Sequence, residues 1–241
     1  MSCVVYTCHN VAVLAPGQAE RGTIDIRAFG RQLDWLERLG IRFIPMRDLH
    51  AWLAGETAIP RRAAVLTFDD AYASIYEHAF PVLEQRGIAF TVFVIAGLIG
   101  GTSNFYADRG GQERRHLDRG QLRSLIDSGR VEVGAHGYHH LDLTRTSGDR
   151  LEKELSFAKE VLEESLGVEV PYVAYPYGST TRAVRQQARQ AGYQLGFTTR
   201  KKKLASTHVD PLAIPRVNWG RRANLFKLYK YYLIPWVRSA G

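Results

Sequence analysis

Short apolar runs alternate with amphipathic segments along most of this chain. The apolar runs are rich in Val, Ile and Phe, which predicts buried strands. The segments between them place apolar residues three or four positions apart, which predicts helices that pack by one face. Residues 25–39 are an example, with Phe29 and Leu33 on the apolar face, Asp25 as the N-cap and Gly40 as the stop.

This alternation gives about seven strand-helix units. The predicted strands are SCVVYTCH, IRFIP, AAVLTF, IAFTVFVIA, VEVGA, VPYVAY and QLGFTT. The predicted helices cover residues 25–39, 48–54, 75–83, 118–127, 151–166 and 181–191, and the Gly-rich segment 97–112 is expected to be a loop. Strands that alternate with helices are typical of a parallel sheet closed or nearly closed into a barrel. We therefore predict an α/β fold.

The bulk composition fits one globular domain. The chain has 241 residues, of which 45% are hydrophobic and 23% are charged. Its formal net charge of +8 raises the expectation of an anionic partner, such as nucleic acid, a membrane surface or an acidic glycan. No nucleic-acid-binding module is recognisable, which argues against the first of these partners.

The cysteines and the N-terminus bear on the cell compartment. Cys3 and Cys8 lie in the first predicted strand and indicate buried, reduced thiols rather than a disulfide framework. The first residues lack the basic start, long apolar run and small-residue cleavage site of a secretory signal. No run approaches the roughly 18 apolar residues of a transmembrane helix. We therefore expect a cytoplasmic protein.

Polar and aromatic side chains follow the predicted strands at the point where each strand ends. Asp69 and Asp70 follow AAVLTF, His9 follows the first strand, His136 follows VEVGA, and Tyr177 follows VPYVAY. Active-site groups of α/β barrels sit at the C-terminal ends of the strands. We therefore predict that these side chains share one rim of the barrel.

The segment GAHGYHHLDL contains candidate metal ligands. His136 and His140 are four residues apart, a spacing that can bring two imidazoles to one ion, and a carboxylate from another strand end would complete the set. Taken alone, such a pair favours a solvated loop, and an aspartate at a strand-to-helix junction is often an N-cap. Capping explains one carboxylate, whereas Asp69 and Asp70 together suit a metal ligand beside a general base.

Together, LTFDD, HGYHH and AYPYG resemble the motifs of the polysaccharide deacetylases, the NodB-type homology domain of carbohydrate esterase family four. The resemblance begins at VVYTCHNV, ends at DPLAIPRV and covers residues 2–218. It implies a distorted barrel, here a (β/α)7 TIM-like barrel in a single domain, that removes an N-acetyl group from an amino sugar. It also implies one divalent metal ion, commonly zinc, with Co²⁺, Ni²⁺ or Mn²⁺ as alternatives.

Carried over by position, the resemblance implies a role for each motif residue. Asp69 matches the catalytic base. The implied metal ligands are Asp70, His136 and His140. In YPYG, Pro176 and Tyr177 match the substrate-binding motif, and the Tyr177 backbone N–H is implied to bind the oxyanion.

Several positions depart from the family pattern. The glycine expected after the aspartate pair is Ala71, and the Ser or Thr expected after the first ligand histidine is Gly137. The arginine expected to orient the base is replaced by Ala174. We predict that Arg216 in IPRV, on the last strand, orients Asp69 instead.

The late family motif with a general-acid histidine is not recognisable. His9 resembles the histidine of the YH opening seen in many shorter members, and it is our candidate for the proton donor to the leaving amine. The open alternative is a histidine whose hydrogen bonds are satisfied by backbone near a strand end.

Residues 221–241 form a basic, aromatic tail beyond a barrel predicted to span residues 1–220. The tail would either lie on anionic lipid as an interfacial helix, peripheral to the membrane, or pack on the barrel with a solvated basic face. The sequence as a whole predicts a metal-dependent N-deacetylase whose substrate is an N-acetylated sugar in a polymer, a lipid-linked sugar or a small glycoside. The rival hypothesis is a metal-binding, weakly active carbohydrate-binding protein of the same fold.

Overall fold

The structure, a computed structural model, describes residues 1–105, 112–200, 202–220 and 228–230. The strands in this part of the chain are β1 (Ser2–Cys8), β2 (Asn10–Ala12), β3 (Thr23–Asp25), β4 (Arg42–Phe43), β5 (Arg62–Phe68), β6 (Phe90–Val94), β7 (Thr102–Ser103), β8 (Arg114–Arg115), β9 (Val131–Ala135), β10 (Tyr172–Ala174), β11 (Leu195–Phe197) and β12 (Val217–Asn218). The α-helices are α1 (Ile26–Arg38), α2 (Met46–Leu53), α3 (Phe80–Gln85), α4 (Arg119–Asp127), α5 (Gly148–Glu152), α6 (Ala158–Leu166) and α7 (Arg182–Gln190).

Two of the helical segments contain a wide π-helical turn. One turn, Ile75–Ala79, precedes α3, and the other, Lys153–Phe157, joins α5 to α6. Pro81 lies in the first turn of α3. A proline cannot donate to the carbonyl four residues earlier, and its ring crowds that carbonyl, which accounts for the wide turn before α3. The turn between α5 and α6 lies close to the candidate site described below.

The main sheet is parallel and runs in the order β11-β10-β9-β6-β5-β1-β12. β1 pairs with β5 along its whole length, so the other edge of β5 is shared by two strands. β4 pairs there with Ala63 and Ala64, and β6 pairs with Leu66–Phe68. The outer strands approach each other where Phe197 of β11 forms a parallel bridge with Ile214, just before β12. The sheet therefore curls into an incomplete barrel, and the prediction of a distorted (β/α)7 barrel in a single domain is confirmed.

Alternation along β5 decides which side chains enter the barrel. Ala63 and Val65 belong to a buried cluster shared by the inner faces of the strands. Leu66 belongs to a second cluster, between the sheet and the surrounding helices. Because side chains alternate along a strand, Thr67 and the following Asp69 lie on the inner side with Ala63 and Val65.

The prediction of a plain loop over residues 97–112 is wrong in part. Thr102–Ser103 forms strand β7, which pairs antiparallel with β8 at Arg114–Arg115. β7 is stabilised by pairing with β8, which lies outside residues 97–112. The glycine content of the segment therefore does not predict the strand. Residues 106–111 lie outside the described part of the chain.

Most of the predicted C-terminal tail, residues 221–227 and 231–241, lies outside the described residues. Residues 228–230 are helical, the Tyr6 hydroxyl donates to the Leu228 carbonyl at 2.7 Å, and the Tyr229 ring lies 5.4 Å from that of Trp35. This short segment packs on the barrel, and contact of the tail with a membrane surface stays a prediction. Within the described ranges, no helix has both the length and the hydropathy to cross a bilayer. The cytoplasmic location likewise stays a prediction.

Candidate metal and catalytic site

A cavity of about 220 Å³ opens at the C-terminal ends of the barrel strands. The residues predicted from strand ends and motifs that line it are His9, Asp69, Asp70, His136, His140 and Tyr177. Sequence reasoning assigned no role to the other lining residues, which are Phe105, Gly178, Thr199 and Asn218. Thr199 follows β11, so the strand-end rule would have found it, whereas Phe105 lies in a segment without any motif. Pro176 is buried and is not among the lining residues, and its contact with substrate stays a prediction.

Asp69 and Asp70 both line the cavity, but their backbone conformations differ. Asp69 continues the alternation of β5, and its N–H donates to the Cys8 carbonyl at 2.9 Å. At Asp70 and Ala71 the backbone is left-handed, with φ of 69° and 53°. The extended strand ends there, so alternation no longer sends the Asp70 side chain to the opposite face. Both carboxylates line the cavity, and both residues are only 3% exposed.

Left-handed backbone outside glycine is concentrated at this site. Among the described residues, the non-glycine positions with positive φ are Asp70, Ala71, His140 and Tyr177. Such conformations cost on the order of 1–3 kcal/mol each and persist where the surrounding structure enforces them. Glycine adopts this conformation at position 71 without strain, which is why the family pattern favours it there and why Ala71 carries a cost.

Arg216 binds Asp69 through a two-pronged ion pair inside the barrel. Its Nη1 donates to Asp69 Oδ1 at 2.6 Å and its Nη2 to Oδ2 at 2.7 Å. The guanidinium is itself fixed, because Nε donates to the Thr198 carbonyl and Nη1 also donates to Thr67 Oγ1, both at 3.2 Å. Asp69 is therefore held in one orientation by an arginine 147 residues later in the chain.

The charges around Asp69 keep it ionised. Burial alone would raise the pKa of its carboxyl, but Arg216 and then His136 oppose this and hold the pKa below its ordinary value. Arg216 is fully buried beside the rings of Phe93 and Phe197, with its Cζ 5.4 and 5.9 Å from their centroids. Ala174, where the family pattern has its arginine, is a buried residue of the same inner cluster.

Asp70, His136 and His140 form a buried group that could hold a metal ion. Asp70 Oδ1 lies 3.5 Å from Nε2 of His136 and 3.5 Å from Nε2 of His140. Ligand atoms about 2.1 Å from a tetrahedral zinc ion are about 3.4 Å apart, so this spacing fits a cation between them. Asp70 Oδ1 is also buried without a hydrogen-bond partner in the described part of the chain, which suits an oxygen reserved for a cation.

A hydrogen bond behind His136 orients its ring, whereas His140 Nδ1 is buried without a hydrogen-bond partner in the described part of the chain. His136 Nδ1 donates to the Ala174 carbonyl at 2.7 Å, so in the neutral ring the lone pair lies on Nε2, the nitrogen that faces Asp70. Burial lowers the pKa of His136, but the carboxylates of Asp69 and Asp70 outweigh it and raise the pKa above its usual value. Burial, and then the charge of His136, lower the pKa of His140 to about 4. His140 is thus a neutral imidazole at neutral pH, the form that binds a metal.

Two aromatic rings flank His140 at the mouth of the cavity. The Phe105 ring stacks on the imidazole at a centroid distance of 4.5 Å, and the Tyr177 ring lies 4.9 Å from it. Tyr177 is 62% exposed, which is unusual for a large aromatic residue in this fold. Its turn requires glycine at the next position, since a Cβ on Gly178 would lie 2.2 Å from Thr199 Oγ1. The mouth therefore offers fixed apolar faces beside the polar cavity.

These features define a barrel protein with a candidate metal site and an arginine-held carboxylate at its strand ends. The sequence matches the family model described as polysaccharide deacetylase over residues 57–196, more than half of the chain. YxkH of Bacillus subtilis (strain 168) is 24% identical over 173 residues, 72% of this chain and 57% of YxkH. The poly-beta-1,6-N-acetyl-D-glucosamine N-deacetylase of Staphylococcus aureus (strain N315) is 25% identical over 197 residues, 78% of this chain and 65% of that protein.

The solved structure of IcaB from Ammonifex degensii is also similar. It is 30% identical, the match covers 96% of each chain, and the TM-score is 0.77. The chain spans 57% and 65% of the length of the two curated relatives above. The protein belongs to the polysaccharide deacetylase family.

Proposed function

We propose that this protein is a metal-dependent N-deacetylase that hydrolyses the acetamide group of an N-acetylated amino sugar. The observation that carries the proposal is the buried Asp70-His136-His140 group beside an Asp69 carboxylate fixed by Arg216. A general base next to a candidate cation site, open to a cavity, is the arrangement that amide hydrolysis by water requires.

The proposed chemistry uses groups that line the cavity. A divalent cation held by Asp70, His136 and His140 would supply Lewis-acid polarisation of the acetyl carbonyl and of a water molecule. Asp69, ionised and fixed, accepts a proton from the attacking water, whose oxygen bonds to the acetyl carbon. The Tyr177 backbone N–H donates to the carbonyl oxygen as negative charge develops on it.

The remaining step releases the products. The bond between the acetyl carbon and nitrogen breaks, and His9 donates a proton to the leaving amine. His9 lines the same cavity as Asp69 and Asp70. The products are acetate and a free amino sugar.

Polymers that contain N-acetylglucosamine are the first substrates to consider. The Staphylococcus aureus relative acts, by its name, on poly-beta-1,6-N-acetyl-D-glucosamine. The cavity of about 220 Å³ is suited to the acetylated residue alone, while the exposed ring of Tyr177 and the ring of Phe105 offer faces for neighbouring sugar rings. Lipid-linked sugars and small glycosides remain part of the proposal.

Acetate release tests the proposal directly. Metal-stripped protein is reloaded with Zn²⁺, Co²⁺, Ni²⁺ or Mn²⁺ and incubated with β-1,6-linked and β-1,4-linked N-acetylglucosamine oligomers, lipid-linked N-acetyl sugars and single glycosides. We expect acetate from at least one of these substrates, only with metal present. Stoichiometric metal binding without acetate from any substrate would reject the enzyme and favour a carbohydrate-binding protein of the same fold.

Replacing Arg216 by alanine is expected to lower turnover by about 10²-fold, because Asp69 loses the contacts that orient it and small misplacements of a catalytic group cost this much. Metal affinity should change little, since Arg216 makes no contact with Asp70, His136 or His140 among the described hydrogen bonds. Removing one partner of a buried pair also costs about 3–5 kcal/mol of folding free energy. Turnover, bound metal and thermal midpoint are measured together.

The matched variant for this experiment is Arg216→Lys. Lysine keeps the charge and loses the two-pronged geometry, so it should regain more stability than turnover. A folded Arg216→Ala protein with unchanged turnover would show that Asp69 does not depend on Arg216.

Replacing His9 by alanine is expected to lower kcat by about 10²-fold or more with full metal content, because general-acid catalysis typically contributes that factor. The measurement is kcat with metal quantified in the same sample. His208→Ala is the control, because His208 is an exposed histidine that does not line the cavity. Loss of folded protein, or unchanged kcat, would support the structural alternative for His9.

A further inference from the structure

A buried glutamate lies behind the metal-binding loop. Glu154 is 0% exposed and sits in the π-helical turn Lys153–Phe157 between α5 and α6. A fully buried carboxylate is costly unless its oxygens accept hydrogen bonds. A π-helical turn adds a residue to the helix, which redirects the side chains there, and such turns are frequent at functional sites.

In the described part of the chain, the hydrogen bonds to the Glu154 carboxylate come from one loop. The backbone N–H of Tyr138 donates to Oε2 at 3.0 Å, and that of His139 donates to both oxygens, at 3.1 and 3.0 Å. His139 Nδ1 lies 2.6 Å from Oε1. These donors lie between the candidate ligands His136 and His140. The Glu154 carboxylate therefore binds the backbone of the loop that connects both histidines.

The loop sequence accommodates this carboxylate. Gly137 has φ of 74°, and a Cβ built on it would lie 2.8 Å from Glu154 Oε2. The Ser or Thr that the family pattern has at this position would therefore collide with Glu154 unless one of them moved. Gly137 and Glu154 form a matched pair, in which the missing side chain leaves room for a carboxylate from another element.

We infer that Glu154 is a positioning residue that fixes His140 in its ligand geometry. His140 has φ of 62°, a left-handed conformation that is uncommon outside glycine and that persists where the surrounding structure enforces it. The two N–H groups held by Glu154 belong to the residues immediately before His140. Without this anchor the loop relaxes and His140 Nε2 leaves its place beside Asp70. The inference rests on the proposed function, because it concerns the metal of that site.

Metal affinity distinguishes positioning from general stability. The protein and its Glu154→Gln variant are stripped of metal and titrated with Zn²⁺ in competition with a chromophoric chelator. We expect the variant to bind Zn²⁺ about 10–100-fold more weakly, the loss typical when a residue that supports a metal ligand is replaced. At saturating Zn²⁺ most of the turnover should return, because Glu154 acts through His140 and does not touch the substrate.

Glu132→Gln is the matched control. Glu132 is another largely buried carboxylate, and it accepts the backbone N–H groups of Met46 and Arg47 at 2.7 and 3.2 Å, away from the cavity. Glu132→Gln should lower the thermal midpoint of the metal-free protein about as much as Glu154→Gln does. Its Zn²⁺ affinity should stay within about twofold of that of the wild type. Glu154→Asp keeps the charge on a shorter side chain and should give an intermediate affinity, which provides a second test if Glu154→Gln does not fold.

Each result has a definite meaning. Equal Zn²⁺ affinity of the wild type and a folded Glu154 variant would overturn the inference and leave the proposed function intact. Equal weakening by the Glu154 and Glu132 variants would reduce Glu154 to a stability residue. No metal binding by the wild type would overturn both the proposed function and the inference.

Discussion

Replacing Asp69 by asparagine is expected to abolish acetate release while the metal stays bound. Asparagine has nearly the same shape, yet it cannot accept the proton of the attacking water, so kcat should fall by about 10³-fold or more. Asp69 is not one of the residues grouped as candidate ligands, so Zn²⁺ affinity should remain within a few-fold. The measurements are acetate release and Zn²⁺ content on the same preparation.

The same substitution also probes the ion pair with Arg216. Asparagine retains one oxygen that accepts from the guanidinium but leaves a buried positive charge, so we expect a lower thermal midpoint. Asp118→Asn is the control, because Asp118 is the N-cap of α4 and asparagine caps a helix equally well. Turnover by Asp69→Asn within tenfold of the wild type would rule out Asp69 as the base.

Replacing His140 by alanine should remove metal binding and activity together. Two protein ligands would remain, and catalytic zinc sites normally use three. In the wild type, Zn²⁺ at about 100 times its Kd should stabilise the fold by about 2.7 kcal/mol, and the variant should show almost none of this gain. Thermal midpoints with and without Zn²⁺ provide the measurement, independent of any substrate.

The His208→Ala protein used above serves as the control for this experiment too, since it should keep the full response to Zn²⁺. Chelation of the wild type should reproduce the His140→Ala phenotype, and added metal should reverse it only in the wild type. A thermal response to Zn²⁺ that persists in His140→Ala would place the metal elsewhere.

The residues that follow the predicted strands indicate most of the candidate site. A parallel barrel brings all the carboxyl ends of its strands to one rim, so the residues after β1, β5, β9 and β10 meet there whatever their distance in sequence. The structure places Asp70, His136 and His140 within reach of one ion on that basis. Their catalytic roles stay predictions until the variants above are measured.

Contacts made by one side chain across the fold were harder to predict. The sequence points to Arg216 only because Ala174 stands at the usual position of the arginine. The contact of Arg216 with Asp69 depends on β1 lying between β5 and β12. Glu154 was missed altogether. The apolar spacing through Leu151 and Leu155 predicts one regular α-helix. It does not reveal the π-helical turn that directs Glu154 to the loop.

The ion pair between Asp69 and Arg216 also has a consequence for how the protein matures on the ribosome. Its partners are 147 residues apart, and such distant contacts form late because the intervening chain must first be ordered. Until residue 216 has been synthesised, Asp69 has no arginine to neutralise it and its burial is unfavourable. The ion pair can therefore form only after the segment that leads into the last strand has been synthesised. Nearly the whole barrel must be made before the candidate site can be complete.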